Sequence, residues 1–207
     1  MTGLDSGDIA RVLKRLFKEA EDDEQNRVRG STEIEESSRE NSYLSVSPAS
    51  GRLLYILART CRRIVEFGTS FGISTIHLAA AARENGHGSR VLSTELVPKK
   101  AQRARENLSD AGLSGYADIL EGDAVAILQN IDFYIDMLFL DGRRDLYLPV
   151  LKLAESRLRK GAIVVADDVR KFPEELKSYL AYVRNPESGC ISVELPVDDG
   201  LELSLRG

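Results

Sequence analysis

Residues 136–169 read DMLFLDGRRDLYLPVLKLAESRLRKGAIVVADDV. Two apolar runs, Met137–Leu140 and Ala162–Ala166, each lead into acid, at Asp141 and at the pair Asp167–Asp168. Between them, Leu146–Leu158 has the spacing of a helix, closed by basic residues and then Gly161. Runs as apolar as MLFL and IVVA suit strands of a parallel sheet covered on both faces. Asp141, Asp167 and Asp168 then fall at the carboxyl edge of that sheet, where open α/β folds hold their ligands. Carboxylates gathered at one edge repel one another unless a cation or a ligand ammonium sits among them. The alternative is that each aspartate simply caps the helix that follows it.

The same arrangement recurs upstream. Ile64–Ala80, IVEFGTSFGISTIHLAA, reads as a short strand through Glu66, a turn with Gly68 and Gly72, and a helix beginning near Ser74. Glycines there allow close approach to the backbone, and free N–H groups at a helix start can hold a carboxylate or phosphate. The spacing is E-x-G-x-x-x-G rather than the G-x-G-x-x-G of a dinucleotide site. Val91–Glu95 is a further strand ending in acid, followed by helix-like Pro98–Leu108. An acid at the end of a second strand accepts hydrogen bonds from ribose hydroxyls in Rossmann-like sheets. Ala117–Glu121 ends in Gly122-Asp123-Ala124. One strand after another thus ends in polar groups able to surround a nucleoside.

From about Ser45 to Gly207 the chain resembles the class I S-adenosylmethionine-dependent methyltransferases, in the catechol O-methyltransferase-like branch. The resemblance rests on VSPASGRLL, VEFGTSFGISTIHLA, STELVPKKAQRARENL, LDGRRDLYLPVL and RKGAIVVADDV. It implies an α/β fold: a Rossmann-like seven-stranded sheet with helices on both faces and a C-terminal antiparallel hairpin. It also implies roles. Glu66, Gly68 and Ser74 would hold the methionine end of the cofactor, with Val46 and Ser47 closing over it. Glu95 would take both ribose hydroxyls, and Asp123, Ala124, Gly142 and Arg143 would border the adenine. Asp141, Asp167 and Asp168 would bind a divalent cation, Asp141 also lying near the cofactor ammonium. An all-oxygen site of this kind suits Mg²⁺ at about 2.0–2.1 Å. The acceptor implied is a small hydroxylated molecule, catechol-like or a natural-product intermediate, whose paired hydroxyls chelate the ion.

Three departures from the family pattern stand out. A lysine that commonly serves as general base three residues after the first metal aspartate is here Arg144, and arginine does not deprotonate in proteins. Arg144 is therefore expected to stabilise the oxyanion or orient the acceptor, with Lys171 the candidate replacement base. Asp168 stands where the animal catechol enzymes have Asn, which adds repulsion and dependence on the cation. The chain has no Trp, so the acceptor pocket cannot use the tryptophans that flank it in those enzymes.

Composition sets bounds. The 207 residues are 43% hydrophobic and 29% charged, enough for one α/β domain with a sizeable core. A net charge of −5 without a basic block argues against a nucleic-acid substrate. Cys61 and Cys190 read as reduced thiols, and His77 and His87 are too scattered for a zinc site, His77 facing outward on its helix. No signal peptide or long apolar span is evident, so the expected location is the cytoplasm with no membrane contact.

Two segments are expected: an N-terminal helical arm, 1–44, and the methyltransferase domain, 45–207. In the arm, Asp8–Ala20 places Ile9, Val12, Leu13, Leu16 and Phe17 on one helical face, while residues 21–41 are polar and acidic. The resemblance suggests that the arm caps the cofactor or acceptor or crosses to a second subunit, so a homodimer is compatible with the sequence. Pro48–Arg63 reads as a helix, and Cys190–Pro196 and Leu201–Arg206 as strands turned by Val197–Gly200. Two readings stand beside the main one: a tRNA hydroxyuridine O-methyltransferase, and a non-catalytic cofactor-binding homologue. A dehydrogenase is disfavoured by the glycine spacing.

Overall fold

The computed structural model describes residues 3–5, 7–29 and 42–207. Helix α1 spans Gly7–Arg29 and α2 spans Pro48–Ala58, entered through Ser47, whose hydroxyl caps the backbone N–H groups of Ala49 and Ser50. Strand and helix then alternate: β1 Arg63–Phe67, α3 Ile73–Asn85, β2 Arg90–Glu95, α4 Pro98–Asp110, β3 Ala117–Glu121, α5 Ala124–Leu128 and β4 Ile135–Leu140. A 3-10 turn at Arg144–Leu146 leads into α6 Tyr147–Ala154, then come β5 Leu158–Ala166, α7 Lys177–Val183, β6 Cys190–Leu195 and β7 Leu201–Arg206.

The strands form one seven-stranded sheet in the order β3-β2-β1-β4-β5-β7-β6. The first five are parallel, and β7 runs antiparallel between β5 and β6. Alternation along the strands assigns residues to opposite faces. Ile64, Met137, Phe139 and Val165 face a core built with α1, α2, α3 and α4, whereas Val65, Leu138, Leu140 and Val164 face α5, α6 and α7. Strand order reverses between β1 and β4, which opens the crevice at their carboxyl ends.

The apolar face expected on the first helix is buried, with Ile9, Val12, Leu13 and Leu16 in the same core as α3. That helix continues through Arg29, well into the polar and acidic stretch that begins at residue 21; the rest of that stretch, 30–41, lies outside the described residues.

Three local expectations are corrected. The helix expected over Pro48–Arg63 ends at Ala58, and Arg63 opens β1. The helix read to Leu158 ends at Ala154, and Leu158 opens β5 instead, pairing with Ile135 across an irregularity before Met137. Burial of Leu158 against the sheet outweighs its helical spacing. His77 does not face outward: it is 2% exposed, its Nδ1 bonds the Ile73 carbonyl at 2.8 Å, and its ring fills the space left by Gly51. Helix α3 is buried from Ile73 to Ala82, polar residues included, because it lies between the sheet and α1 and α2.

Burial lowers the His77 imidazole to about 4, against the pull of the Ile73 carbonyl and with help from Arg52. A depressed folded-state value means stability is held above the ordinary value of 6.5 and lost as pH falls toward 4. This residue alone should cost about 3 kcal/mol over that window. Urea unfolding of the native chain and His77→Met at both pH values checks it. The difference between the two proteins should shift by that amount in favour of the variant on acidification, and a constant difference would contradict the assignment.

Candidate active site

The crevice is set by the ends of β1 and β4. The Asp141 N–H donates to the Phe67 carbonyl at 2.9 Å, continuing the parallel ladder past the last strand residues. Gly68 follows at φ +100, and a Cβ there would stand 2.3 Å from the Asp141 carbonyl oxygen. Only glycine supplies both the left-handed backbone and the clearance. The N–H groups of Gly68 and Thr69 then donate to the Thr94 carbonyl at 3.2 and 3.1 Å, binding the turn to β2.

Beneath that turn lies Glu66, fully buried. Its Oε2 accepts the Thr75 and Ser93 hydroxyls, each at 2.5 Å. Its Oε1 is buried without a hydrogen-bond partner. Burial pushes this carboxyl up, the Ser74, Ser93 and Thr75 hydroxyls oppose that, and the charge of Glu95 adds to it. Ser74 exerts its influence without meeting Oε1 in hydrogen-bond geometry. The N-cap position of α3 beside it is held by Gly72, which has no side chain to cap the first N–H groups.

Glu95 ends β2 with its carboxylate facing the turn: Oε2 accepts the Ser70 N–H at 2.7 Å and Oε1 the Val97 N–H at 3.0 Å. These bonds leave further lone pairs on both oxygens for a diol. Leu96 beside it is 59% exposed, an apolar surface at the mouth of the crevice that the sequence reading missed. Asp123 caps α5, accepting the Ala126 N–H at 2.9 Å, and Ala124 is buried behind it. Gly142 is half-buried, and Arg143 points outward to Asp145 at 2.7 Å.

The acidic edge forms as the sequence suggests, with one addition. Asp167 continues β5 by donating its N–H to the Leu140 carbonyl at 3.0 Å, and its Oδ1 accepts the Asp168 N–H at 2.7 Å. Asp168 adopts φ +66, a left-handed conformation that Asp tolerates better than most residues. Burial raises the Asp141 carboxyl well above its usual range, reinforced by Asp167, Asp168 and Glu66 and relieved by Arg144. Burial and the charges of Asp168, Asp199 and Asp198 push Asp167 up to about 7, despite the Asp168 N–H. Hard oxygen donors under mutual repulsion are the chemistry a divalent cation relieves. Even so, no group of three or more His, Cys, Asp or Glu among the described residues stands in an ion-holding arrangement. Asp168 is turned instead to Arg144, with its Oδ2 3.2 Å from Nη2. Lys171 pairs with Asp199, which raises its pKa, the wrong direction for a base.

The loop before α2 closes one side. Val46 is buried, and the Ser47 and Ser50 hydroxyls both donate to Asp198 in the β6–β7 turn, Ser50 at 2.6 Å. Burial pushes the Asp198 carboxyl up, but those two hydroxyls hold it below the usual carboxylate range. Earlier in the same loop, the Tyr43 ring stacks on Phe71 of the glycine turn with 4.2 Å between centres, and its hydroxyl meets Glu19 of α1. Asp198 and Tyr43 were not singled out from sequence. The Asp-Asp-Gly turn signalled only a hairpin, and its 148-residue separation from Ser50 carries no local pattern.

Replacing Gly68 by Ala should force the ends of β1 and β4 apart. The expected cost is about 1–3 kcal/mol from the backbone conformation, with more from the contact with Asp141. Urea unfolding measures it, and a change below about 0.5 kcal/mol would show that the close approach is not a constraint.

Comparison with known proteins agrees with this geometry. A methyltransferase-domain family model matches residues 65–169. Catechol O-methyltransferase from Niastella koreensis is 36% identical over 132 residues, covering 61% of this chain and 58% of the relative. The Mus musculus catechol O-methyltransferase is 31% identical over 154 residues, covering 70% and 56%. The matches thus span a little over half the length of these curated relatives. The O-methyltransferase TomG from Streptomyces achromogenes, involved in tomaymycin synthesis and solved in complex with SAM, has a TM-score of 0.69 at 28% identity, over 79% of this chain and 82% of that one. The O-methyltransferase from Bacillus cereus in complex with SAH reaches 0.77 over 99% and 93%, at 21% identity, a likeness of fold alone. The chain belongs to the methyltransferase-domain family, and its curated relatives include catechol O-methyltransferases.

Proposed function

We propose that this chain transfers a methyl group from S-adenosylmethionine to a hydroxyl of a small catechol-like or natural-product acceptor, assisted by a divalent cation such as Mg²⁺. The observation that carries the reading is the orphaned Glu66 Oε1, buried beside the uncapped N-terminus of α3. A buried carboxylate oxygen without a donor is costly, and an arriving ammonium would satisfy it. The helix start beside it suits a carboxylate. An amino-acid ligand carries both groups, and the Glu95 carboxylate beyond them suits a ribose diol.

In this reading Gly68 and Ser74 hold the methionine end with Val46 and Ser47 over it, and Asp123, Ala124, Gly142 and Arg143 border the adenine. Leu96 offers an apolar face there. Asp141, Asp167 and Asp168 are the residues that would hold the cation. When bound, S-adenosylmethionine supplies the methyl carbon and the cation acidifies the acceptor hydroxyl. The methyl group would pass from sulfur to the acceptor oxygen, with the S–CH₃ electron pair staying on sulfur and the acceptor proton leaving to solvent. The chain contributes chiefly by aligning the acceptor oxygen behind the methyl group, and orientation of this kind is worth about 7–11 kcal/mol. Arg144 remains charged throughout and so serves the acceptor oxyanion, not its proton. The arm supports closure of the site through Tyr43, which packs on the glycine turn. Free Cys61 and Cys190 fit a reducing cytoplasm, and no helix of the described residues is long and apolar enough to cross a membrane.

The test is transfer of label from S-adenosylmethionine to a panel of catechols, with Mg²⁺ or with EDTA. Labelling should require the ion, fall by at least about a hundredfold in Asp141→Ala and Asp167→Ala, and survive in Asp168→Asn. Cofactor binding without labelling of any acceptor would favour a non-catalytic role, and labelling indifferent to EDTA would remove the cation from the account.

A further inference from the structure

The guanidinium of Arg144 is held on three sides by the segment that follows β5. Nη2 is 3.2 Å from Asp168 Oδ2 and Nη1 is 3.4 Å from Glu175 Oε2. The carbon between them lies 3.3 Å from the centre of the Phe172 ring. Nε is buried and has no hydrogen-bond partner. Both Arg144 and Asp168 are largely enclosed, with side chains 26% and 23% exposed.

This clamp uses the fork that distinguishes arginine from lysine: one planar group reaches two carboxylates while stacking on an aromatic face. It also takes the third arm of the aspartate cluster. The carboxylate that would complete an oxygen cage with Asp141 and Asp167 is turned to a fixed positive charge. A dication and a guanidinium drawn to the same carboxylate repel one another at contact distance. Meanwhile the unpartnered Nε gives Arg144 a reason to leave this position, since a second position that satisfied it would recover a buried-donor cost.

We propose that Arg144 is a tethered cation that competes with the divalent ion for Asp168, so that ion binding requires Arg144 to withdraw. The proposal rests on the cation-assisted reading above. In the ion-free protein Arg144 supplies the positive charge of the acidic edge. When the ion arrives, Arg144 leaves Asp168 and becomes available to the acceptor. The substitution at this position thus sets how tightly the site holds its ion, in addition to any part it plays with the acceptor.

Titration of the full chain with Mn²⁺, followed by loss of the free-ion electron paramagnetic resonance signal, tests this without turnover. Arg144→Met should bind Mn²⁺ on the order of tenfold more tightly than the native chain. Arg144→Gln, neutral and closer in shape, should behave alike and guards against a packing defect in the first variant. In an Asp168→Asn background the gain from removing Arg144 should vanish, because the shared ligand is gone. Equal or weaker binding by both Arg144 variants overturns the proposal. So does a gain that persists in the Asp168→Asn background, which would make Arg144 a through-space charge only. If neither the native chain nor any variant takes up Mn²⁺, the cation-assisted reading fails and the proposal falls with it; native binding that weakens in Asp141→Asn keeps that reading intact whatever Arg144 does.

Discussion

The close junction between β1 and β4 is the constraint on which the rest of the site depends. Asp141 donates its N–H to Phe67, and Gly68 passes beneath the Asp141 carbonyl where no side chain fits. Because strand order reverses at this pair, two chain segments turn away in opposite directions and leave a crevice between them. One segment carries Glu66 and the glycine turn, the other Asp141 and Arg144. Each neighbouring strand contributes to the same edge: β2 adds Glu95, and β5 adds Asp167 and Asp168. The helices packed on both faces hold these strand ends in register.

Electrostatic tension is built into that edge. Glu66 is buried with one oxygen satisfied by hydroxyls and one left over, and Asp141 and Asp167 are raised by burial and by their neighbours' charge. A fold could avoid such tension by replacing the acids, so their presence points to ligands that carry positive charge. The charge of an ammonium near Glu66 and Asp141, and of an ion among the aspartates, would relieve it at two separate points. Arg144 partly relieves the second, and in the proposed competition it would take part in the ion's binding.

Strand ends were readable because a parallel strand buried on both faces is nearly all apolar and stops abruptly at the first acid, as at Leu140–Asp141 and Ala166–Asp167. The glycine turn was readable for the same reason, with Glu66 and Gly68 at fixed offsets from the apolar run. Other features depend on contacts distant in sequence. His77 was expected to face outward on its helix, but α3 is buried from Ile73 to Ala82 and the imidazole is enclosed. Leu158 had helical spacing, yet pairing with Ile135 drew it into β5. The bonds from Ser47 and Ser50 to Asp198 link the start of the domain to its last hairpin, and nothing local announces them. Lys171 was legible as a lysine near the acidic pair, but its commitment to Asp199 was not.

In the proposed function, the carboxyl edge of β1, β2 and β4 would bind S-adenosylmethionine through Glu66 and Glu95. Calorimetric titration of the full chain with S-adenosylhomocysteine, which shares the amino-acid and ribose groups, tests it most directly. Binding should be saturable at one site per chain and weakened by at least about tenfold in Glu95→Ala and in Glu66→Gln. Absence of binding, or binding untouched by both substitutions, would contradict it.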